Sequence, residues 1–171
     1  MEHDAPDTTP PAAEGREPRP AADAILTARR ALAPVQASLE AAGFYAYGAV
    51  DDQNRWAVSA DDEAGHVDVR VGDDGFVVEL WATSPGLFAE EESDFRRRAM
   101  ERLARMLLPN VNRGLLEPHQ QASWDEVDGG IRVQVGYELP FTRAADVGGF
   151  ARAHLPELQA AIETVERQIN G

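Results

Sequence analysis

The residues best able to do chemistry here are four histidines and thirty carboxylates, in a chain with no cysteine. His3, His66, His119 and His154 are far apart. None has the H-x-x-x-H or H-E-x-x-H spacing that brings imidazoles together on one helical face to bind zinc. The missing cysteine excludes disulfides, thiol nucleophiles, iron–sulfur sites and cysteine-ligated zinc. Ser38, Ser59, Ser84, Ser93 and Ser123 occupy no G-x-S-x-G elbow, and the glycines form neither a Walker A loop nor a dinucleotide fingerprint. All 16 basic residues are arginine, so Schiff-base and phosphate-lysine chemistry are excluded as well. Nothing in these residues calls for a cofactor or a metal.

Carboxylates gather in short runs: Asp51-Asp52, Asp61-Asp62-Glu63, Asp73-Asp74, and Asp125-Glu126 with Asp128. No run follows the D-x-[DN]-x-[DN]-G calcium loop, and Asx-turn chemistry accounts for such placement. A carboxylate-based, metal-dependent hydrolase stays open as an alternative, since so acidic a chain can bring carboxyl groups together in a cleft. Arg96, Arg97, Arg98, Arg102 and Arg105 form the one basic concentration, and spacing puts Arg98, Arg102 and Arg105 on one helical side. They are a candidate patch for phosphate or an acidic partner. The plainer reading pairs them with nearby glutamates along a packed helix.

These residues must be held by elements, which periodicity locates. Residues 1–20 are rich in proline and acid and have almost no large apolar side chain, which predicts a disordered tail. Ile25, Ala28, Leu32, Val35 and Leu39 step by three and four, predicting a helix bent at Pro34 and stopped by Gly43. Strand-like runs follow at 44–50, 56–58, 66–71 and 76–81, the last two joined by a Gly72-Asp73-Asp74-Gly75 hairpin turn. A second helix is expected over 90–108, burying Phe95, Ala99, Leu103, Met106 and Leu107 and ending at Pro109-Asn110. Runs 121–126 and 131–139 form another hairpin, with Ile131, Val133, Val135, Tyr137 and Leu139 on one face. The stripe Leu158, Ile162, Val165 and Ile169 gives a last helix with Pro156 in its first turn, and a short helical turn at 150–155 before it. His66 opens its strand out of phase with the apolar residues, which predicts exposure.

Strands joined by hairpins predict a single α+β domain over 21–171, a mainly antiparallel sheet packed by helices in the order α-β-β-β-α-β-β-α. Helices on one face of a small sheet leave the other face open. Tyr45, Tyr47, Trp56, Trp81, Trp124 and Tyr137 are therefore the candidate protein-binding or dimer surface. A formal charge of −14 opposes direct binding to nucleic acid, although a nucleic-acid-associated role through the arginine-rich helix is a second alternative. With no run of about 18 apolar residues and no basic-then-apolar opening segment, the expectation is a cytoplasmic protein with no membrane association.

Certain segments resemble the YbjN family, whose fold is similar to that of type III secretion chaperones. They are Leu39-Glu40-Ala41-Ala42-Gly43, Leu107-Leu108-Pro109-Asn110-Val111-Asn112, and the pair Trp124–Val133 and Tyr137-Glu138-Leu139-Pro140. The likeness spans roughly residues 22–168 and contains no catalytic signature. It implies a non-enzymatic, chaperone-like adaptor that binds a segment or surface of a client protein, and it implies a homodimer.

Overall fold

The computed structural model describes residues 20–84, 94–127 and 129–170. Apart from Pro20, the expected tail lies outside the described residues, as does the expected start of the second helix near Glu90. Helix α1 (Pro20–Ala41) runs through Pro34 and buries Leu32, Val35 and Leu39. It stops where the sequence places the stop. Gly43 takes a positive φ of 91°, its N–H donates to Glu40 O at 3.0 Å, and the Phe44 N–H donates to Leu39 O at 3.1 Å. Those bonds satisfy two helix-end carbonyls, and the buried pair Phe44 and Leu39 seals the turn.

Strands β1 (Tyr45–Val50), β2 (Trp56–Asp62), β3 (Gly65–Val71) and β4 (Phe76–Thr83) follow as successive hairpins. Four strands precede the second helix, one for each strand-like run in the sequence and one more than the order α-β-β-β-α-β-β-α. The reason is local: Asp51 Oδ1 accepts the backbone N–H groups of Gln53 and Arg55, both at 2.9 Å, which turns the chain sharply between β1 and β2. Hydrogen bonding from the Arg55 backbone holds the Asp51 carboxyl below its ordinary pKa. Helix α2 (Asp94–Gly114) continues past Pro109. Leu108 and Val111, on either side of the proline, are both buried, and this burial outweighs the one hydrogen bond a proline removes. Strands β5 (Gln120–Asp125) and β6 (Gly130–Leu139) complete a six-stranded antiparallel sheet of order β1-β2-β3-β4-β6-β5. A short 3-10 helix (Phe141–Asp146) leads into α3 (Val147–Asn170), which absorbs both the expected short turn and Pro156.

The result is a single mixed α+β domain, and the register shows why its helices share one sheet face. Val58 pairs with Val69, Val69 with Val78, Leu80 with Val135, and Ala82 with Val133, so apolar side chains, most of them branched, line up across the strands. Helix α1 packs on β1–β3, α3 on β4 and β6, and α2 on β5, around a continuous core. No helix among the described residues is long and apolar enough to cross a membrane.

Two contacts set the frame. Ser38 on α1 donates its hydroxyl to Ala145 O at 2.7 Å and accepts the Gly148 N–H at 2.9 Å, so α1 satisfies a free donor in the first turn of α3. At the β5 edge, the Asn112 amide donates to Ala122 O at 2.9 Å and accepts the Ala122 N–H at 2.7 Å. A side chain from α2 thus stands where a further strand would pair.

The helix contact is close enough to test. A Cβ built at Gly148 would lie 2.2 Å from the Ser38 carbonyl oxygen, a backbone atom that cannot swing aside. Gly148→Ala is expected to cost about 2–4 kcal/mol through forced separation of α1 and α3. Ser38→Ala is expected to cost about 1 kcal/mol, the size of a lost cap. Urea titration of both variants measures the difference.

Candidate functional site

The six aromatic candidates fall on both sides of the sheet. Tyr45, Tyr47 and Trp81 point to the open face, in phase with Asp61, Ser59 and His66. Trp56, Trp124 and Tyr137 point to the helix-covered face and pack against the core. Trp56 lies over Gly48 with the Arg29 guanidinium 5.2 Å from its ring, and Tyr137 meets Phe150 edge-on at 4.9 Å. The six therefore do not form one surface.

On the open face, strand alternation assembles a polar chain across β1, β2 and β3. The Tyr47 hydroxyl donates to Asp61 at 3.3 Å, and Asp61 faces Nδ1 of His66. Nε2 of His66 faces Asp68 at 2.8 Å, and the Ser59 hydroxyl donates to Asp68 at 2.5 Å. His66 also stacks on Trp81 with centroids 4.4 Å apart, and Arg132 lies over the same indole at 3.8 Å. His66 sits on the predicted face but is only 9% exposed. The phase was readable; the shielding by Trp81 and two carboxylates comes from neighbouring strands.

Both imidazole nitrogens are thus engaged by carboxylates. Burial opposes charge on His66, but the hydrogen bonds and charges of Asp68 and Asp61 outweigh it, and the pKa is raised above 6.5. Asp68 is held below 3.8: burial pushes it up, while hydrogen bonds from His66, Ser59 and Trp81 and the imidazolium charge pull it down further. Both ring nitrogens of His66 point at carboxylate oxygens and the Ser59 hydroxyl is directed at Asp68, so neither ring nitrogen is aimed at Ser59. The chain braces β1, β2 and β3 against one another. Its sequence signal was the pair of spacings Ser59-x-Asp61 and His66-x-Asp68, which place polar groups on one face of adjacent strands. Among the described residues no group of three or more His, Asp or Glu side chains is arranged to hold a metal ion. His154 lies within α3 beside Glu157 at 3.1 Å, and His119 stands 6.1 Å from the Tyr137 ring.

The second surface lies on α2. The buried side of this helix carries Ala104, Leu108 and Val111, with Met100 and Leu107 partly covered. Phe95, Ala99, Leu103 and Met106, expected to lie in the core, are all exposed; Phe95 is 77% and Met106 74% accessible. At about 100° per residue these four fall on the side of the helix opposite the buried stripe. Helix α2 therefore has two apolar stripes, and the packing against β5 takes the one through Ala104 and Val111. Arg98, Arg102 and Arg105 flank the outer stripe and are exposed. Arg105 is tied to Glu101 at 2.9 Å and to Glu126, whereas Arg98 and Arg102 form no ion pair among the described residues.

In comparisons with protein-family models, curated proteins and solved structures, none matches this chain.

The brace has a pH signature with a definite sign. Because the folded-state pKa of His66 lies above 6.5, its stabilisation is complete below pH 6.5 and is lost as pH rises through the raised value. Asp68 has the opposite sign: its share is present above pH 3.8 and is lost as pH falls through its lowered value. The melting advantage of the natural chain over His66→Gln is expected to shrink as pH rises from about 6 to about 9. Calorimetry of the two chains across that range reads it.

Proposed function

We propose that this chain is a non-enzymatic, chaperone-like adaptor that binds a segment or surface of a partner protein through the outer stripe of α2. The observation that carries this reading is the apolar stripe Phe95, Ala99, Leu103 and Met106, exposed opposite the helix's own core contact. A contiguous apolar surface rimmed by charge marks an interaction site, because burying it against a partner removes it from water. Arg98 and Arg102 beside it favour an amphipathic partner segment with an acidic rim, and their charge adds specificity and a faster encounter. The resemblance to the YbjN family and to type III secretion chaperones leads to the same reading, with one strand more than the order it implies. A homodimer and a cytoplasmic location belong to the same proposal.

The two alternatives make different demands. A carboxylate-based hydrolase needs acids converging on a substrate, whereas Asp61 and Asp68 are directed at His66. Nucleic-acid association through Arg98, Arg102 and Arg105 predicts steep salt dependence and indifference to the apolar stripe.

Two measurements test the reading. An apolar fluorescent dye is expected to bind the natural chain and to lose most of its signal with Phe95→Ser/Met106→Ser, at unchanged stability within about 0.5 kcal/mol. A partner captured from extract, then purified and titrated, is expected to bind Phe95→Asp at least about tenfold more weakly, which is about 1.4 kcal/mol. Equal binding by the variant, or no stoichiometric partner across a broad salt range, overturns the assignment.

A further inference from the structure

The two ends of the sheet are treated differently. At the β5 end the Asn112 amide occupies both main-chain groups of Ala122, and α2 packs alongside. At the other end β1 pairs, among the described residues, with β2 alone. The bond from Asp51 N to Arg55 O, at 2.8 Å, fixes the alternation of hydrogen-bonded pairs up the hairpin. Stepping by two through Ala49–Ala57, Tyr47–Ser59 and Tyr45–Asp61, it leaves the N–H and C=O groups of Ala46, Gly48 and Val50 facing outward. The strand is Tyr-Ala-Tyr-Gly-Ala-Val, with no charge and no proline, and Tyr45 is 74% exposed. Natural edge strands usually carry a lysine, a proline or a bulge that discourages pairing, and this one has none of them.

We propose that β1 is the seam of a homodimer, in which two copies pair their β1 strands antiparallel about a two-fold axis at Gly48. This names the seam of the dimer proposed above and does not depend on partner docking at α2. The occupant follows from self-complementarity. Centred on Gly48, the register sets Ala46 against the partner's Val50, so the outward main-chain groups of Ala46, Gly48 and Val50 are all used. On the open face Tyr47 meets the partner's Ala49, a large side chain against a small one. Tyr45 meets the partner's Asp51, so that a phenol hydroxyl faces a carboxylate. On the helix-covered face the half-buried Trp56, which already lies over Gly48, comes to the axis beside its symmetry mate. A chain of net charge −14 can bring a second copy closest along an uncharged strand. Self-pairing of the arginine-flanked α2 stripes brings like charges together instead.

The missing cysteine makes the register readable. In this pairing Tyr47 and the partner's Ala49 are a non-hydrogen-bonded pair, the closest kind of cross-strand neighbour. A mixture of the single variants Tyr47→Cys and Ala49→Cys is expected to give a disulfide-linked mixed dimer under mild oxidation. Either variant alone is expected to stay largely uncrosslinked, because its two thiols sit diagonally too far apart to bond. The natural chain is expected to sediment as a dimer that dissociates on dilution, and Ala49→Lys as a monomer with unchanged circular dichroism and melting. A natural chain that sediments as a monomer overturns the dimer and the seam together. A dimer that gives no mixed cross-link, cross-links equally within each variant, or survives Ala49→Lys overturns the seam while leaving the dimer and the α2 reading intact.

Discussion

Three helices share one side of this sheet because two of them hold each other at their ends. The Ser38 hydroxyl closes the first turn of α3 from α1, and the Gly148 position leaves room for only a hydrogen at that crossing. In return Arg152 of α3 donates to Ala42 O at 2.8 Å, reaches Asp62 of β2, and lies 4.0 Å above the Phe44 ring at the α1–β1 junction. Each helix thus satisfies polar groups that the other leaves open at its terminus. With α1 and α3 fixed over β1 to β4 and β6, and α2 confined to the β5 side, every helix is committed to the branched face of the sheet. The opposite face and the outer side of α2 are what that commitment leaves to solvent.

Local signals were the most legible. Gly43 after a three-and-four stripe, the Gly72–Gly75 turn and the alternation of β3 and β6 each depend on neighbours in sequence, and each appears in the structure where the sequence puts it. Proline was read too strictly at Pro109 and Pro156, where apolar residues on both sides keep the helix registered on the core. The assignment of α2's core face failed for a different reason. Two apolar stripes run along that helix, and periodicity finds both without choosing between them; only the packing against β5 and α3 chooses. The same limit applies to the aromatics. Trp56 and Tyr45 belong to adjacent strands, and their separation onto opposite faces is set by the β1–β2 register, which rests on the Asp51 turn.

Charge is distributed as unevenly as apolar surface. The chain carries a large acidic excess, yet α2 gathers arginines along a short stretch. Arg105 is paired with Glu101 and Glu126, while Arg98 and Arg102, at the edge of the exposed stripe, form no ion pair among the described residues. On the open face the acids are spent inward: Asp61 and Asp68 hold His66, and Glu79 stands 4.0 Å from Arg70. The face with the richest polar network spends its carboxylates internally, with the buried Arg132 Nε left without a hydrogen-bond partner among the described residues, and the helix with the simplest chemistry has apolar groups still exposed to a partner.

The Asn112 amide on Ala122 bears on how far a sheet like this can grow. A strand bare at both margins is a monomer in the polymer chemist's sense, able to add at either side and to extend without limit. Here one margin ends in a side chain that imitates the next strand and offers nothing beyond it. A strand that adds at β1 meets no matching open position at Ala122 on the far margin, the arrangement that favours a closed pair over an open-ended stack.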